Sequence, residues 1–83
     1  MNHGSTLKRP LQPMPGAIRQ ALVEPGLLAA YEARPPYQRN DYLAWIARAR
    51  RDATRDQRIR QMLDELAGGG RYMKMAWRPG GKS

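Results

Sequence analysis

Arg48, Arg50, Arg51, Arg55 and Arg58 crowd one short stretch, with Asp52 and Asp56 as the only nearby acids and Trp45 just upstream. A planar guanidinium grips a carboxylate or phosphate through two parallel N–H bonds, and an indole beside it adds a stacking face. The chemistry on offer is therefore capture of an anion. A second group, Tyr72, Lys74 and Trp77, lies near the C-terminus, where Met73, Met75 and Trp77 alternate with Tyr72, Lys74 and Ala76 in an extended pattern that would lie across the helices or add to a partner's sheet edge. Its basic and aromatic character would also suit weak attachment to a membrane surface. Bond-breaking chemistry has little to work with. The chain has no cysteine and its one histidine is His3, so neither a thiolate nucleophile nor a structural zinc site is expected. Asp64 and Glu65 are neighbours in a helical pattern and project in different directions, which does not suit an acid–base pair. Gly68, Gly69 and Gly70 read as a helix stop, not a phosphate loop. No catalytic residue, metal or cofactor is expected.

The formal charge of +8 over 83 residues raises the question of nucleic acid. Its distribution matters more than its size. Lys8 and Arg9 near the N-terminus and Arg71, Lys74, Arg78 and Lys82 near the C-terminus carry +6 with no acid among them, whereas nine arginines face seven acids between Met14 and Gly70. Most of the basicity thus belongs to the two ends. No segment has the apolar length of a membrane span, and the N-terminus lacks the uninterrupted apolar run of a secretory signal, so a cytoplasmic location is expected.

The elements that must position these groups are helical. Residues 1–13 have no periodicity and read as a disordered leader. Pro15 opens a first short helix with Ile18, Ala21 and Leu22 on one face, ending near Glu24; Pro25 and Gly26 break it. Leu27, Leu28 and Tyr31 stripe a second short helix that stops before Pro35. A third helix is predicted over Gln38 to Arg50, burying Tyr42, Leu43, Ile46 and Ala49, with Trp45 at the edge of the stripe. Arg50 falls within that apolar arc, which leaves two roles open for it: packing its stem on the core with its guanidinium capping carbonyls of a neighbouring helix, or facing a partner. Asp52 is the candidate N-cap of a fourth helix whose seam is Ile59, Met62, Leu63 and Leu66 and whose stop is Gly68 at positive φ. Ile46 and Leu63, at the centres of the two strongest stripes, are expected to meet. Asp56, Arg60 and Asp64 are spaced for ion pairs along its solvent side. The prediction is an all-α bundle of three to four helices, two short and two longer, over residues 14–70, with flexible basic tails and a partly ordered aromatic tail at 71–83.

The Met14-Pro15 entry into an Ala-Leu helix, the run from Leu27 to Arg34 into Pro35-Pro36, and the pairs Tyr42-Leu43, Trp45-Ile46, Arg50-Arg51, Thr54-Arg55 and Arg58-Ile59 resemble, in that order, the C-terminal domain of the bacteriocin-protection family, also called the YdeI or OmpD-associated family. The resemblance spans about Pro15 to Gly68. Larger members of that family carry a further domain ahead of this one, and activity residing there does not transfer to these residues. The resemblance implies a bacterial protein connected with bacteriocin protection or envelope stress, and brings no catalytic motif. Together with the composition, it leads us to expect a non-enzymatic, monomeric interaction module. An unknown protein partner would present an acidic segment to Trp45, Arg48, Arg50, Arg51, Arg55 and Arg58, with Tyr72, Lys74 and Trp77 as tail contacts. The alternative is weak, nonspecific nucleic-acid binding through the basic tails and the inter-helix arginines.

Overall fold

A computed structural model describes residues 12–77. Four helices, α1 (Gly16–Val23), α2 (Leu28–Glu32), α3 (Pro36–Ala47) and α4 (Asp52–Gly68), are followed by two short strands, β1 (Arg71–Tyr72) and β2 (Met75–Ala76). The class is all-α, two short helices with two longer ones. The addition is a small antiparallel hairpin that pairs Arg71 with Ala76 and Tyr72 with Met75. The leader expected over residues 1–13 and the flexible end expected at the C-terminus fall largely on residues outside the described ones.

Proline and glycine set the breaks. Pro15, in extended conformation, caps α1, and its carbonyl accepts the N–H groups of Ile18 and Arg19 at 3.1 and 3.0 Å. Gly26 takes a left-handed φ of +77° as the chain leaves that helix; here glycine avoids the clash that a Cβ would bring. Pro36 occupies the first turn of α3, where no N–H is required. That helix therefore begins two residues before the expected Gln38. It also ends earlier, at Ala47, because Arg48 and Ala49 close a tight last turn onto Ala44 and Ile46. Arg50 is consequently outside the helix and exposed, and it does not pack on the core as its place in the stripe suggested.

The caps of α4 are each displaced by one position. Arg51 is the N-cap and makes no side-chain cap bond, while Asp52 is the first helical residue and pairs with Arg55 at 3.1 Å. That exposed pair takes the place of the expected ladder through Asp56, Arg60 and Asp64, and such pairs contribute little. At the other end Gly68 is still helical and Gly69 has the left-handed φ of +78°.

The core joins Ile18 and Leu22 of α1, Tyr31 of α2, Tyr42, Leu43 and Ile46 of α3, and Met62 and Leu66 of α4. Met62 is fully buried, whereas Leu63 is only partly buried. The expected centre of the seam was thus one residue off, about 100° around the helix. Among the described residues no helix is long and apolar enough to cross a membrane.

Candidate functional site: a groove between the third helix and the hairpin

A carboxylate sits inside the apolar seam of α4. Met62, Glu65 and Leu66 share its buried face, and an ionised carboxylate there must find donors or be costly. Four converge on it. The Tyr42 hydroxyl donates to Oε1, Gln61 Nε2 donates to Oε2 at 3.1 Å, and the backbone N–H groups of Met73 and Lys74 donate at 2.8 and 2.7 Å. Met73 and Lys74 form the hairpin turn, and both are left-handed, with φ of 50° and 66°. Two successive N–H groups in such a turn make a concavity suited to an anion. Glu65 fills it.

Arg34 is buried beside this centre. Its guanidinium donates to Gln38 Oε1 and to the Glu65 carbonyl, both at 3.0 Å, and the ring of Trp77 lies 4.3 Å from it. The end of the hairpin is thereby tied to α3 and α4 through the link that follows α2. Tyr72 of β1 meets the rings of Tyr37 and Tyr42 edge-on and donates its hydroxyl to Asp41 Oδ2 at 2.6 Å. Burial, then the bond to Glu65 and its charge, raise the Tyr42 phenol well above its ordinary value. Burial, then the bond to Asp41 and its charge, do the same for Tyr72.

Docking of the hairpin leaves a groove of about 440 Å³. One wall is α3 with its C-cap, where Tyr37, Asp41, Trp45 and Arg48 recur every three or four residues along one face; the other is Tyr72, Met73 and Met75 of the hairpin. Tyr37 and Met75 are exposed, so the groove opens on apolar surface and has a cation, Arg48, at the last turn of the helix.

The anticipated binding residues part company here. Trp45 and Arg48 line the groove, as do Tyr72 and the two methionines of the tail. Arg50, Arg51 and Arg55 are exposed beyond it, with Arg55 engaged by Asp52. Arg58 donates to the Trp45 carbonyl at 2.6 Å and lies 5.2 Å from the Trp45 ring. It is this arginine, not Arg50, that caps the end of α3. Lys74 occupies the turn, and Trp77 covers Arg34.

Sequence reasoning missed Glu65, Arg34, Tyr37 and Asp41. A signal existed for two of these features: Glu65 falls on an apolar arc, where a carboxylate is out of place, and Tyr37, Asp41, Trp45 and Arg48 have the spacing of a single helix face. Among the described residues no cluster of three or more His, Cys, Asp or Glu side chains is placed to hold a metal ion.

Neither a curated protein nor a solved structure matches the chain. The family described as bacteriocin-protection, YdeI or OmpD-associated (OmdA) matches residues 13–69, the four helices and the stop that follows them. With well over half of its length in that match, and with the Pro-Pro break, the aromatic third helix and the basic link in order, this chain belongs to the bacteriocin-protection, YdeI or OmpD-associated family.

Proposed function

We propose that this domain is a non-enzymatic protein-interaction module that receives an acidic partner segment in the groove between α3 and the hairpin. An apolar side chain of the partner sits among Tyr37, Trp45 and Met75, and a partner carboxylate pairs with Arg48 through the planar fork. Arg50 and Arg51 extend the positive field just beyond and raise the encounter rate with an acidic segment. The observation that carries this reading is a groove walled by aromatic and methionine side chains with an exposed arginine at its end. Arg58 has no part in it, because its guanidinium is committed to Trp45.

The non-enzymatic part of the reading is supported by how the acid and phenol groups are used. Both oxygens of Glu65 are occupied by donors, and the hydroxyls of Tyr42 and Tyr72 are donated to carboxylates. The module is further proposed to act in the cytoplasm, and to act in bacteriocin protection or envelope stress, the latter in keeping with the family's description. Nonspecific nucleic-acid binding is the second reading, favoured by Arg48, Arg50 and Arg51 standing exposed on one link.

Labelled peptides bearing several carboxylates and one large apolar residue distinguish the two when titrated by fluorescence polarisation against duplex DNA of random sequence. Arg48→Glu and Tyr37→Ala should each weaken the acidic peptide by about tenfold or more, as expected for residues at the centre of an interface. Arg48→Glu protein that binds the peptide as well as wild type does, or a wild-type preference for duplex DNA at physiological salt, would reject the groove as the protein-binding site.

A further inference from the structure

Half of the groove is built from a hairpin that has little reason to form by itself. Its strands are two residues each, and an isolated two-stranded hairpin is marginal at best in water. Its turn makes matters worse. Both central residues adopt left-handed φ, the geometry that Asn-Gly pairs normally fill, and here they are Met73 and Lys74. What offsets this is the pair of N–H bonds to the buried carboxylate of Glu65, at 2.8 and 2.7 Å, together with the Tyr72 hydroxyl on Asp41.

Resting on the groove as the partner site, we infer that the groove is a two-state site, assembled only while the hairpin turn is clasped on the Glu65 carboxylate. Partner binding and hairpin docking then stabilise each other. The partner touches Tyr72, Met73 and Met75, which stand in place only in the clasped state, and linkage requires the effect to run both ways. Glu65 is a positioning residue in this scheme. It lies beneath the turn and does not line the groove.

Lys74 is the place to test the coupling, because it is exposed and outside the groove lining while its backbone makes half of the clasp. Lys74→Pro removes the N–H and fixes φ on the wrong side, so the hairpin should open. Lys74→Gly relieves the turn and should hold it closed more firmly. Lys74→Ala removes the charge but keeps the backbone penalty.

Two readouts on the full chain are needed: nuclear Overhauser contacts between the rings of Tyr72 and Tyr42, and binding of the labelled acidic peptide. Lys74→Pro should lose the ring contacts with the helical circular dichroism retained, and should bind the peptide about tenfold or more weakly. Lys74→Gly should keep the contacts and bind severalfold more tightly, while Lys74→Ala, which leaves the clasping N–H in place, should keep the ring contacts. In wild type, saturating peptide should slow hydrogen exchange at the Met73 and Lys74 amides. Glu65→Gln should behave like Lys74→Pro; if it unfolds the helices as well, the Lys74 variants decide alone. Unchanged affinity in Lys74→Pro after loss of the ring contacts overturns the linkage and leaves the protein-binding reading intact. A wild-type protein that binds no acidic peptide overturns both.

Discussion

Glu65 is the residue on which the polar interior depends, since the carboxylate, two phenols, a glutamine and two backbone amides share one small volume. Such a network contributes when every member is satisfied, and among the described residues no buried side-chain polar atom lacks a partner. It also sets an upper limit in pH. Tyr42 and Tyr72 hold their protons above the ordinary phenol value of 10.0 in the folded state. Below that value folded and unfolded chains are both protonated, and the stability from these two groups is fully present. Above it the unfolded chain releases protons that the folded chain keeps, so stability falls as pH rises. Helical circular dichroism should therefore begin to drop above pH 10, with the phenolate absorbance of these two residues rising along with unfolding. Ionisation of all four tyrosines while the helices remain intact would contradict the assignment. Of these residues the sequence placed Tyr42, through its spacing with Ile46, and laid the Tyr72–Met73 segment across the helices without fixing its partners. The partners of Arg34, Asp41 and Glu65 are fixed by tertiary approach, which no local pattern encodes.

At the scale of elements, the order and the breaks were legible because proline and glycine act locally. Pro15 and Pro36 impose their φ and lack their N–H whatever surrounds them, and Gly26 takes a left-handed φ that other residues avoid. The boundaries slipped by one to three residues, and at the end of α3 a side chain from another helix takes part, since Arg58 donates to the Trp45 carbonyl. The hairpin was not legible, because its turn carries none of the usual residues and is held by a carboxylate on a helix already completed. The seam of α4 offers a direct check. Met62→Ala should cost about 2–5 kcal/mol, as burial of a large apolar side chain in a packed core implies, and Leu63→Ala clearly less. Chemical denaturation of the two variants side by side measures the difference. Equal losses would return Leu63 to the centre of the seam.

For the molecule as a whole, charge and shape play separate parts. The described residues form a body with a radius of gyration of 13.0 Å, while much of the net charge of +8 is carried near the two ends. Attraction to polyanions and recognition in the groove should accordingly respond differently to salt. Retention on random duplex DNA is expected to fall steeply as salt rises, with a slope of about 0.9 per phosphate neutralised, whereas acidic-peptide affinity changes far less because half of its contact is apolar. Parallel titrations over one salt series would show this, and coincident slopes would mean that the groove is only part of a basic surface. The clasp has a consequence of another kind. Glu65 grips main-chain N–H groups, which every residue but proline possesses, so the anchor asks of the turn side chains only that they tolerate a left-handed φ. With Tyr72 kept on Asp41, the groove wall at positions 73 and 75 can therefore diversify while its mounting stays constant, in the way that antibody loops vary on a fixed frame. Swapping the hairpin sequence is a route to new specificities that leaves the four helices untouched.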